Sequence, residues 1–259
     1  MNGSIVIGKI REIEIEVHFS WLLIFALVTF MLATSYFPQF YPEWDPALMW
    51  VLGSLLAVLF FVSILLHELS HSLVSIDQGI PVKKITLFIF GGIAQIERDP
   101  DTPLKELKVA IAGPAMSVFL YVLFMSLAFT CDFLEISPAA VVSFNYIATA
   151  NLVLAIFNLV PAFPLDGGRV LRAIIWHFKG DMQHATKIAS SMGSIFGYFL
   201  MFNGAFLALA GNLFNGLWFI FIGWFLNQAS RSSYQQIVFS DIFKKIHVSE
   251  FMTEKIMTV

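Results

Sequence analysis

Six long apolar runs dominate the chain, at 19–36, 47–66, 109–130, 139–160, 194–210 and 213–226. A helix needs about 20 apolar residues to cross a bilayer core of roughly 30 Å, so each run predicts a membrane-spanning helix. Only Gly211 and Asn212 separate the last two, which form either a tight helical hairpin or one long buried helix. Two shorter stretches change period. Ile13-Glu14-Ile15-Glu16-Val17 alternates apolar and polar positions, as a half-buried strand does. Residues 84–97 read as strand, Gly91-Gly92 turn, strand, because a Gly-Gly pair between β-branched runs signals a hairpin. The expected architecture is an α-helical integral membrane protein of six transmembrane helices with a small interfacial β-sheet or hairpin. The alternative for the two strand-like stretches is a pair of unrelated interfacial loops.

Composition agrees with the pattern. Of 259 residues, 58% are hydrophobic and 13% charged, and Phe alone occurs 28 times. A soluble domain runs at about 45–50% apolar and about 25% charged, so a soluble fold is excluded. A net charge of -3 gives no reason to expect a nucleic-acid partner. A lone cysteine, Cys131, excludes an internal disulfide framework and a Cys-based zinc site.

Charge placement tests the span count. The connections 37–46, 131–138 and 211–212 carry Glu43, Asp45, Asp132 and Glu135 but no Lys or Arg; all 15 basic residues fall on the other side. Positive residues stay cytoplasmic, so both termini are expected to be cytoplasmic and the span number even. The first run follows Lys9 and Arg11 but is longer than the apolar core of a secretory signal and has no clear A-x-A site, so it is expected to be retained.

Ionisable groups at membrane depth are expensive and usually functional. They gather at two places. Span two ends in His67-Glu68-Leu69-Ser70-His71, and span four runs into Asn158-Leu159-Val160-Pro161-Ala162-Phe163-Pro164-Leu165-Asp166-Gly167-Gly168. His-Glu-x-x-His on a helix is a zinc-binding pattern: residues four apart share a face, so both imidazoles can reach one ion, and the Glu lies close enough to act on a water there. Two histidines need a third protein ligand. Asp77 lies about 280° around the helix from His67, which turns it away. Asp166 is the better candidate, since prolines free carbonyls before it and glycines permit a sharp turn after it. Its other reading is as the N-cap of a following helix.

At these residues the sequence resembles the site-2 protease family of intramembrane metalloproteases. The ordered matches are His67-Glu68-Leu69-Ser70-His71, Gly91-Gly92, Gly113-Pro114, and Asn158 through Asp166-Gly167-Gly168-Arg169. The resemblance implies one zinc ion per chain held by His67, His71 and Asp166, with Glu68 as general base and Asn158 polarising the scissile carbonyl. The implied substrate is a transmembrane helix of another protein, cut within or near the bilayer. The layout is similar to archaeal and bacterial members, which implies the plasma membrane of a prokaryote.

A substrate helix must unwind to expose its peptide bonds. The hairpin around Ile85, Leu87, Ile89, Gly91 and Gly92 either pairs with the unwound segment by strand addition or caps the site structurally. Residues 1–229 are expected to form the six-span domain, with a catalytic core at about 47–177, and 230–259 a cytoplasmic linker. Residues 248–259 resemble the opening of a cystathionine-β-synthase-type domain, a fold that binds adenine nucleotides; the stretch is either a truncated domain of that kind or an amphipathic segment. Rival readings are a zinc or proton transporter using the same His/Glu/Asp groups, and a silent scaffold whose metal only ties spans two and four together.

Overall fold

The computed structural model describes residues 3–89 and 91–245, with side chains through 235. The chain divides into two compact units, Met1–Val160 and Pro161–Val259.

The first unit opens with β1 (Ser4–Ile10) and β2 (Ile13–His18), an antiparallel hairpin. Arg11 and Glu12 form its turn with φ of 44° and 72°, the positive values that a tight two-residue hairpin turn requires. Then come α1 (Ser20–Met31), a π-helical stretch (Leu32–Tyr36) and α2 (Phe37–Phe40), which together make one apolar rod, Ser20–Phe40. Next is α3 (Pro46–Asp77), followed by β3 (Val82–Phe88), β4 (Gly91–Ile96), α4 (Pro103–Phe133) and α5 (Pro138–Asn158). A proline opens each of α3, α4 and α5, where its missing N–H costs nothing. The Asp45 carboxylate caps α3 by accepting from Ala47 N–H at 2.7 Å.

The strand order is β1-β2-β3-β4, with β2 and β3 parallel. One sheet therefore joins the two strand-like stretches of the sequence, and it includes β1, which the alternation did not reveal. Glu16 of β2 ties this register. Its carboxylate accepts from Lys84 Nζ at 2.9 Å and from the Thr86 hydroxyl at 3.2 Å. The Lys84 ammonium is the main cause that holds the Glu16 carboxyl below its ordinary range. Ile13, Val82 and Ile85 pack on Leu69, with Leu65, Leu66, Leu73 and Ile76 beside them, so the sheet lies on the C-terminal half of α3.

The hairpin turn differs from expectation. Phe88 pairs with Gly91 and Leu87 with Gly92, so the glycines are the first residues of β4 and not the turn itself. A glycine pair signals a close approach as readily as a turn.

The second unit is helical. A loop at 161–165 leads into α6 (Asp166–Lys179), then α7 (Met182–Leu209) and α8 (Leu213–Lys245). Gly211, at φ +91°, turns the chain, so the last two apolar runs form a helical hairpin. Glycines let the two backbones approach. A Cβ on Gly197 would stand 2.7 Å from the Gly223 carbonyl oxygen, and one on Gly204 would stand 2.6 Å from that of Gly216. Small residues at such spacing are how helices pack where lipid removes the hydrophobic drive.

Five described helices are long and apolar enough to cross a membrane: Ser20–Phe40, Pro46–Asp77, Pro103–Phe133, Pro138–Asn158 and Met182–Leu209. The chain is a multi-pass membrane protein. Outward-facing Phe199, Phe202 and Phe206 suit a lipid surround. The domain boundary expected at 229/230 falls inside α8, which is one helix to Lys245, and the stretch 248–259 lies outside the described residues.

Candidate metal centre

The register of α3 decides where its polar side chains point. Leu69 faces the sheet, and His67 and His71, one turn apart, face α4. Both imidazoles are buried, at 3% and 5% exposure. His71 Nδ1 lies 2.7 Å from the Val109 carbonyl oxygen. A carbonyl only accepts, so Nδ1 carries the proton and Nε2 presents its lone pair. His67 Nδ1 meets the Ser117 hydroxyl at 2.8 Å, and Ser117 is wholly buried. The two Nε2 atoms are thereby aimed at each other, 3.2 Å apart.

Three observations test whether a metal fits here. Two nitrogens about 2.05 Å from a tetrahedral zinc stand roughly 3.3 Å apart, which the pair matches. The space they face is kept clear by Gly113 of α4: a Cβ there would stand 2.5 Å from His67 Nε2 and overlap His71 Nε2. Both donors are also imidazole nitrogens held by a hydrogen bond on the far side of the ring, the ligand type and support that zinc sites use. The residues fit zinc.

Asp166 is the first residue of α6 and is buried. The N-cap position belongs to Leu165.

The profile described as peptidase family M50 matches residues 55–133 and 132–203. The chain belongs to this family. Among proteins it resembles, sll0528 of Synechocystis sp., named as a candidate zinc metalloprotease, is 40% identical over 90% of this chain and 60% of its own length. Rip3 of Mycobacterium tuberculosis, similarly named, is 37% identical over 98% of this chain and 64% of its own. Zinc metalloprotease MJ0392 of Methanocaldococcus jannaschii is 33% identical over 98% of this chain and 67% of its own. The chain thus spans a little under two thirds of the first two relatives. The solved site-2 protease from Methanocaldococcus jannaschii has 29% identity and a TM-score of 0.62, covering 98% of this chain and all of that one.

The other site residues expected of an M50 member lie in the first unit. Glu68 is half-buried and turns toward β4. A Cβ on Gly92 would stand 2.5 Å from Glu68 Cγ, so this strand comes as near as a residue without a side chain allows. Asn158 is the last residue of α5, and its Nδ2 donates to the Leu154 carbonyl at 3.0 Å. An amide nitrogen has two hydrogens, so one is left to donate elsewhere.

Strand addition at Ile85 and Leu87 meets an obstacle. β3 already pairs with β2 on one side and β4 on the other, and both side chains are buried in apolar clusters. Ile89 lies past the strand, its N–H donating to the Ser20 hydroxyl at 3.3 Å. Among the described residues the sheet edges are β1 and β4, and β4 is the one beside Glu68.

Sequence reasoning passed over Ser117 and the Val109 carbonyl. The available signal was Gly113-x-x-x-Ser117, two small residues on one face of an apolar helix.

Proposed function

We propose that the chain is the core of an intramembrane zinc endopeptidase that hydrolyses peptide bonds in transmembrane segments of other membrane proteins. The observation that carries this is the His67–His71 pair, its nitrogens converging under the bare Cα of Gly113 on a membrane-crossing helix, with Glu68 on the next position.

In this reading His67 and His71, through Nε2, and Asp166, through a carboxylate oxygen, hold one zinc ion. When bound, zinc lowers the pKa of a coordinated water to about 7 and acts as a Lewis acid toward a carbonyl. Glu68 takes the proton of the attacking water and hands it to the leaving amide nitrogen. Asn158 offers an amide hydrogen to the developing oxyanion. Ser117 and the Val109 carbonyl hold the imidazole rings so that neither has to reorient during turnover.

The substrate segment enters as an extended strand along β4, with Gly91 and Gly92 giving it backbone without bulk next to Glu68. Main-chain hydrogen bonds to that edge compensate the unwound substrate for the helical bonds it loses. In the membrane, α8 supplies a sixth span and both termini face the cytoplasm of a prokaryotic cell. An impermeant maleimide applied to intact cells should then label Cys131 from outside; labelling only after the inner face is opened would reverse the orientation.

Glu68→Gln tests the reading directly. Reconstituted protein should keep its zinc and lose cleavage of a transmembrane substrate by at least about 10²–10⁴. Near-normal cleavage by zinc-loaded Glu68→Gln protein would overturn the mechanism.

A further inference from the structure

Phe163 stands three residues before Asp166, and an unusual number of contacts converge on it from within the second unit. Its N–H donates to the Ala189 carbonyl of α7 at 3.3 Å. Its carbonyl accepts from the Ser230 hydroxyl of α8. Gly193 of α7 presses on the same carbonyl so closely that a Cβ would overlap its oxygen, and a Cβ on Gly168 of α6 would overlap the Phe163 nitrogen. The Arg172 guanidinium of α6 lies 4.9 Å from the centre of the Phe163 ring. Ser230 and Arg172 are both buried.

A backbone carbonyl in a loop needs a donor when it is buried, because no water is there to supply one. Ser230 is that donor, and it comes from 67 residues away along the chain. Its single hydroxyl hydrogen has a second acceptor within reach, the Leu226 carbonyl of its own helix at 2.8 Å. A serine hydroxyl that bonds back to its own helix is the ordinary arrangement. Here the hydroxyl also reaches the loop, and Gly193 clears the space that makes this approach possible.

We propose that Ser230 is a positioning residue for the metal centre: by holding the Phe163 carbonyl, it fixes the backbone that presents Asp166. The inference rests on the reading of Asp166 as a zinc ligand. An aspartate side chain is short, so the placement of its own backbone sets where its carboxylate can reach. A histidine on a regular helix has no such dependence on a distant brace.

The test is a double-mutant cycle on the purified full chain, with zinc affinity measured by chelator competition and the cobalt-substituted visible spectrum as a second readout. Asp166→Ala should weaken zinc binding strongly. If it does not, the ligand reading fails, whatever Ser230 does. Ser230→Ala should weaken zinc binding about 10-fold to 100-fold, the usual cost of losing a group that orients a ligand, and should alter the cobalt spectrum. Ser230→Thr, which keeps the hydroxyl, should restore both. In an Asp166→Ala background, Ser230→Ala should have no further effect on affinity, because its influence passes through Asp166. If Asp166→Ala weakens binding while Ser230→Ala changes neither affinity nor spectrum, the proposal is overturned. An equal loss from Ser230→Ala with and without Asp166 overturns it too, since that is general loosening. Should Ser230→Ala fail to fold, Ser230→Cys keeps the size, weakens the donor, and must meet the same criteria.

Discussion

Where α3 meets α4, each imidazole is fastened by a hydrogen bond, to Ser117 or to the Val109 carbonyl, and a glycine leaves room for an ion. Where α3 meets β4, a glycine again marks the close approach, but what lies beyond is, among the described residues, an edge of the sheet. The metal-binding side of the helix is closed and hydrogen-bonded. The side that carries Glu68 borders an open row of backbone donors and acceptors. One helix thus carries the hydrogen-bonded imidazoles on one side and, in the proposed mechanism, borders the edge that takes the substrate on the other.

The largest way to break this contrast is Gly113→Ala. The new methyl would occupy the space between the two Nε2 atoms, with helical backbone behind it and nowhere to yield. Zinc content by elemental analysis should fall to near zero, and cleavage with it, while the helical circular dichroism signal persists. Gly92→Ala strikes the other face. Its methyl meets the flexible Glu68 side chain, not a ligand. Zinc should be retained while kcat/KM falls by about 10², the cost of displacing a catalytic group by roughly 1 Å. Equal zinc loss in both variants would show that the two faces are not separate. Ser117→Ala sharpens the comparison on the closed side. It removes one orienting bond and keeps the space, so zinc affinity should weaken about 10-fold, measured by chelator competition, with cleavage recovering at saturating zinc.

How far the sequence could be read follows from how each feature is encoded. His67, Glu68 and His71 were legible because a helix turns spacing in the chain into position in space by a fixed period. Ser117 is held to His67 by tertiary packing across 50 residues, and no local pattern announces that pairing. The apolar run of span two stops at 66, but the helical spacing of His67, His71 and Asp77 carries the element further, and the helix runs to Asp77. Gly91-Gly92 was read as a turn because glycine pairs serve turns and close approaches alike; only the position of Glu68 tells them apart. β1 has the β-branched run Ile5-Val6-Ile7 but little burial, so no alternation exposed it. The apolar runs located the long helices, because in a membrane chain hydrophobicity is continuous along each element and needs no period, but they left the last two as a hairpin or one helix, which the turn at Gly211 decides.

The parallel pairing of β2 with β3 has a consequence for biosynthesis. The two strands are neighbours in the sheet, yet the chain between them contains two membrane-crossing rods, Ser20–Phe40 and Pro46–Asp77. As the chain emerges from the ribosome, β1 and β2 can form their hairpin at once, but β2 must wait with its inner edge bare. β3 does not exist until both rods have been synthesised, and it can dock on β2 only once they have carried the chain out and back. The strand that borders Glu68 is added last of all. The sheet is therefore complete only after both rods have been made, and the strand beside Glu68 takes its place later than the His-Glu-x-x-His helix it borders.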